Sequence, residues 1–133
     1  MTALTHSTQT DSLLRLAMRA DAVITGLSGI AGVPLVGWMA NVAGTTVGFE
    51  KAMAAFYIAY GVVVFALSMR RSVKAPGLAV IIANVAYTAG AVALVLAGVF
   101  PLTTLGVVLI LGSGVYTLAF AELQYVGWRR ASA

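Results

Sequence analysis

The chain has 133 residues, 61% of them hydrophobic and only 9% charged, with a mean hydropathy of +0.99 and no cysteine. Soluble domains run at about 45–50% apolar and about a quarter charged, so a water-soluble fold is excluded, as are a disordered chain and a disulfide scaffold. The net charge of +4 is no nucleic-acid footprint, because the basic residues sit at the ends of apolar runs, where they anchor helices and meet anionic headgroups. The partners expected are the lipid bilayer and either a second copy or another membrane protein.

Residues 1–11 are polar and carry no Lys or Arg, unlike the start of a cleaved signal peptide. They are expected to form a short cytoplasmic tail, followed by a single membrane domain over 12–130 and a tail at 131–133. Crossing about 30 Å of hydrocarbon takes about 20 apolar residues of helix. The first such run covers 21–39, led in by an amphipathic stretch. In it Asp21, Thr25, Ser28, Gly29 and Gly32 form one stripe at helical spacing, the mark of a face turned into a bundle. Pro34 predicts a kink, Trp38 suits an interfacial belt, and residues 41–48 have room for an irregular loop.

The second run covers 49–69, with Tyr57, Gly61, Val64 and Ser68 on one face. The third covers 77–99, with Asn84, Thr88 and Ala91 on one face and Tyr87 beside them. A second row there, Ala86, Gly90, Ala93 and Ala97, offers another packing edge. No charged side chain occurs from Ala75 to Ala121, a stretch too long for one span. Phe100-Pro101-Leu102-Thr103 divides it, since proline cannot continue the hydrogen-bond ladder and Thr103 or Thr104 can cap the next helix. The fourth run covers 104–128 and carries Ser113, Thr117 and Gln124 along one seam.

Charge placement gives the orientation. Arg15 and Arg19 precede the first run, Arg70, Arg71 and Lys74 lie between the second and third, and Arg129 and Arg130 follow the fourth. Seven of the eight basic residues therefore fall on one side, with Lys51 alone on the other. The positive-inside rule places both termini and the middle loop in the cytoplasm. The fold expected is an all-α, antiparallel four-transmembrane-helix bundle, with Arg15, Arg70, Arg71, Lys74, Arg129 and Arg130 as membrane-anchor charges.

The acids carry what chemistry there is. Asp21 lies about 9 Å along the helix from Arg15, Glu122 about 10 Å from Arg129, and Asn84 about 12 Å from Pro76 at 1.5 Å per residue. The three share a layer near one leaflet. That layer reads either as a helix-locking set of ion pairs and hydrogen bonds or as a proton- or cation-binding site. Arg19, two residues from Asp21, points nearly opposite to it and is expected to pair with Glu122 on a neighbouring helix or to snorkel to the interface. Asp21 is expected to look to Arg70, Arg71, Asn84 or Tyr87, with Lys74 a further cation in reach.

Catalysis finds little support. The single histidine, His6, lies in the polar tail, and Gly112-Ser113-Gly114 sits inside an apolar helix. No catalytic residue, cofactor or metal site is expected.

The segment Leu14-Arg15-Leu16-Ala17-Met18-Arg19-Ala20-Asp21-Ala22, the turn Pro101-Leu102-Thr103-Thr104-Leu105-Gly106 and the close Glu122-Leu123-Gln124-Tyr125-Val126-Gly127-Trp128-Arg129-Arg130 resemble a group of small, uncharacterised bacterial four-helix membrane proteins. The resemblance implies a bacterial inner-membrane location and a four-span fold, and brings no activity with it. The function expected is non-enzymatic, that of an accessory or scaffold subunit acting through helix–helix contacts. The alternative is a small oligomeric transporter or channel using Asp21, Asn84 and Glu122.

Overall fold

In hydrocarbon every backbone polar group must be satisfied within its own segment, and long apolar runs achieve this as helices. The computed structural model describes residues 2–131, with side chains from residue 11 onward. It contains α1 (Thr2–Gly32), α2 (Val36–Ala43), α3 (Val47–Ser68), α4 (Lys74–Ala97) and α5 (Thr104–Arg130), and no strand among the described residues. Four segments are long and apolar enough to cross a membrane: Asp11–Ala43, Val47–Ser68, Lys74–Ala97 and Thr104–Arg130. The protein is an all-helical, multi-pass membrane bundle.

The first span is α1 and α2 together, joined by a 3-10 turn at Val33–Leu35, where Pro34 has no N–H to give. It runs to Ala43, beyond the expected boundary at residue 39. The helical backbone of α1 also reaches back to Thr2, through the polar stretch read as a tail. The irregular loop expected over 41–48 shrinks to residues 44–46. Gly44, at φ 79°, turns the chain with its N–H on Ala40 O, and the Thr46 side chain accepts from Phe49 N to start α3. Thr103 caps α5 in the same way, accepting from Gly106 N. Its own N–H and hydroxyl reach back to Ala43 O and Val42 O, which ties the two hairpin loops together at one end of the bundle.

α1 packs along α3, α4 packs along α5, and α1 against α5 joins the two hairpins, whereas α3 and α4 barely touch. The α1–α3 approach is close because Gly26 faces Gly61: a Cβ on Gly61 would lie 2.7 Å from Gly26 Cα. The seam between α3 and α4 has no such fit.

The opposite end carries the basic residues. Arg15 Nη1 donates to Ser68 O at 2.6 Å and Arg70 O at 2.7 Å, so a cation closes the C-terminus of α3. Lys74 Nζ donates to Trp128 O at 2.7 Å and Ala131 O at 3.1 Å, and lies 4.4 Å from the Trp128 ring centre. Trp128 Nε1 returns a bond to Lys74 O. Arg15 and Lys74 are therefore corner braces, while Arg70, Arg71, Arg129 and Arg130 are exposed. Between these corners Leu14, Met18, Val64, Val73 and Val80 pack into an apolar core, which also buries Ala131, a residue assigned to the tail.

Candidate functional site

Asp21 is fully buried, with 0% exposure. A carboxylate taken from water costs several kcal/mol unless it is paired or richly hydrogen-bonded. Here the second solution is used. Oδ1 accepts from Thr25 Oγ1 and from the Tyr116 hydroxyl, each at 3.1 Å. Oδ2 accepts from the Tyr60 hydroxyl at 2.6 Å and from Asn84 Nδ2 and Gln124 Nε2, each at 3.0 Å. The donors come from α1, α3, α4 and α5, so all four spans converge on one side chain. Asn84 Nδ2 also donates to Gln124 Oε1 at 2.9 Å. Among the described residues no buried side-chain nitrogen or oxygen is left without a partner.

This cluster differs in membership from the layer expected. Asp21 and Asn84 meet, but Glu122 is exposed and lies outside it. Glu122 and Gln124 are two residues apart, about 200° around a helix, so only one of them can face the core. The amide does, since it buries at lower cost than a carboxylate. Arg19 does not pair with Glu122 either. Its Nε donates to Ser68 Oγ at 3.2 Å, and its guanidinium carbon lies 6.0 Å from the Phe65 ring centre. The cations expected near Asp21 are engaged elsewhere or exposed, and neutral donors hold it instead.

Three of those donors, Tyr60, Tyr116 and Gln124, were not expected as partners of Asp21. Gln124 lay on the polar seam of its span, and Tyr60 shares a face with Tyr57, Gly61 and Val64. A tyrosine hydroxyl stands far from its own backbone, however, and spacing along one helix does not say which neighbour it meets.

One cavity adjoins the cluster and a second adjoins the first. The inner one, about 200 Å³, is walled by Thr25, Tyr60, Asn84 and Tyr116, the same groups that hold Asp21. The outer one, about 460 Å³, extends towards the hairpin loops, between Tyr57 and Tyr87 at one end and Glu50 at the other. Ser28, Phe56, Tyr57, Tyr87 and Ser113 border both. Of the expected stripe, Asp21 and Gly29 are buried and Thr25 and Gly32 half-buried, whereas Ser28 is exposed at the rim of the cavities. The outer cavity lies where α3 and α4 stand apart, and a Cβ on Gly90 in its wall would meet no atom within 4 Å.

No family model, curated protein or solved structure matches the chain.

Proposed function

We propose that this is a non-enzymatic protein of the bacterial inner membrane, with both termini and the loop around residues 69–73 cytoplasmic. In this reading it is an accessory subunit that holds a membrane-dissolved molecule inside its bundle. The observation that carries the reading is the pair of adjoining cavities ending on the Asp21 cluster. The outer cavity is a cleft open on the side where α3 and α4 stand apart, and its about 460 Å³ falls within the about 300–1,000 Å³ of small-molecule sites. The floor is closed. Beyond Asp21 the core of Leu14, Met18, Val64, Val73 and Val80 fills the space to the basic end, which favours a receptor over a through-channel. The non-enzymatic part rests on the sequence, which has no cysteine and one histidine, at position 6. Orientation rests on the seven basic residues gathered at one end.

A second reading has one observation behind it. Ala86, Gly90, Ala93 and Ala97 are all exposed along α4, and small residues let a second helix approach closely. That row would seat another membrane protein or a second copy.

Native mass spectrometry from mild detergent tests the leading reading. Wild type is expected to retain a small molecule that Gly90→Phe, which adds a ring at the open edge of the outer cavity, does not retain. A bare chain in both would contradict it.

A further inference from the structure

Taking the cavity as a ligand site, as proposed above, its polar groups restrict what the ligand can be. At the inner end of the outer cavity the hydroxyls form a chain. Ser113 Oγ donates its only proton to Ile110 O at 2.7 Å. Tyr87 must then donate to Ser113, at 3.0 Å, and Tyr57 must donate to Tyr87. Every proton in the chain is thereby used within the protein, and what remains for a ligand is acceptor lone pairs.

At the other end stands Glu50. It occupies the first turn of α3, where the helix N-terminus favours a negative charge. Thr45 Oγ1 donates to its Oε1 at 2.7 Å, and no other hydrogen bond to this carboxylate is present among the described residues. Glu50 and Tyr57 are seven residues apart on one helix face, about 10 Å. The wall between them is apolar and aromatic, with Phe49, Met53 and Phe56 from α3. Among the described residues no Lys, Arg or His borders either cavity.

A carboxylate, a row of acceptors, aromatic rings and no cation are together the surroundings an organic ammonium requires, with its body in the apolar section. Such a lining repels an anion and offers a neutral acceptor nothing to accept from. We propose that the outer cavity is a binding site for an amphipathic amine, whose ammonium group is held by Glu50 and whose apolar body lies against Phe56, Tyr57 and Tyr87. The ammonium can belong to a free amine or to a lipid headgroup.

The test uses the full chain in nanodiscs of digalactosyl diacylglycerol, a neutral lipid whose headgroup carries no ammonium, and three probes with one body and three heads: 4-phenylbutylammonium, 4-phenylbutanol and 4-phenylbutanoate. Binding is read by calorimetry against empty discs. The ammonium is expected to bind at least tenfold more tightly than the alcohol, and the carboxylate not at all. Glu50→Gln keeps the acceptor for Thr45 and removes the charge, so it should erase the tenfold preference while the alcohol binds as before. Gly90→Phe should abolish binding of both.

The two claims fail differently. If no probe binds, or Gly90→Phe changes nothing, the cavity is not a ligand site. If alcohol and ammonium bind equally to wild type, or Glu50→Gln leaves the preference intact, the cavity stands and the ammonium assignment is overturned. Phosphatidylethanolamine discs identify the source of the ammonium: competition with the probe there assigns the site to the lipid headgroup, and undiminished binding assigns it to a free amine, either result upholding recognition of an ammonium.

Discussion

Gln124 Nε2 lies 3.0 Å from Asp21 Oδ2, although the two residues are 103 positions apart in the chain. The bond joins the first span to the last, at the point where Asn84 and Tyr60 bring in the other two. A buried carboxyl group with no cation beside it is held here by geometry, and the geometry exists only when all four helices are in place. Hydrogen bonds to a charged group contribute about 1.5–3 kcal/mol each, and a buried donor left unpaired costs about 1–3 kcal/mol. Replacement of Asp21 should therefore be graded. Asp21→Asn, which keeps shape and one acceptor, is expected to destabilise by about 1–3 kcal/mol. Asp21→Leu strands the Asn84 and Gln124 amides and should cost more. Thermal unfolding in mild detergent checks the order, and a leucine variant as stable as wild type would refute it.

Tyr60 makes the shortest bond to that carboxylate, at 2.6 Å. Tyr60→Phe removes a donor without changing the packing and is expected to lower stability by about 1.5–3 kcal/mol. Tyr125, by contrast, is 44% exposed on α5, so Tyr125→Phe serves as the matched control and should leave the melting temperature unchanged. Equal effects at the two positions would contradict the cluster's role.

The helices and their inward faces were legible because apolar run length and helical spacing are properties of one segment at a time. Asp21, Thr25 and Gly29 turn inward as their spacing requires, Ser28 stays exposed, and Thr103 caps α5 where proline ends the preceding run. Which side chains meet across helices was less legible. Asn84 could be matched to Asp21 by depth alone. Preferring Glu122 to Gln124 followed the charges, whereas burial selects the neutral amide. The two cavities leave no trace in any single segment, since they arise from a close fit at Gly26–Gly61 on one side and its absence between α3 and α4 on the other.

Arg19 and Glu122 are not partners in this fold, and energetics should show it. With Arg19 on Ser68 and Glu122 exposed, the double alanine mutant should equal the sum of the singles within about 0.3–0.5 kcal/mol. Arg15→Ala should be the costlier change, by about 1.5–3 kcal/mol, because it uncovers the carbonyls ending α3. A coupling above 1 kcal/mol between Arg19 and Glu122 (about a fivefold effect) would count against the geometry described.

Orientation is open to direct labelling, since the chain has no cysteine of its own. Ser72→Cys, in the exposed loop at the basic end, should be protected from an impermeant maleimide added to intact cells. Val99→Cys, 63% exposed in the α4–α5 turn, should react. The reverse pattern would invert the assigned topology.

The central claim is that the hairpin half of the bundle is hollow because something occupies it. A crystal structure of the wild-type protein grown from a lipidic mesophase tests this most directly. The account predicts ordered non-protein density between Glu50 and Tyr57, with α3 and α4 held apart around it. An empty site, with α3 and α4 packed together and the Gly90 face closed, would contradict it.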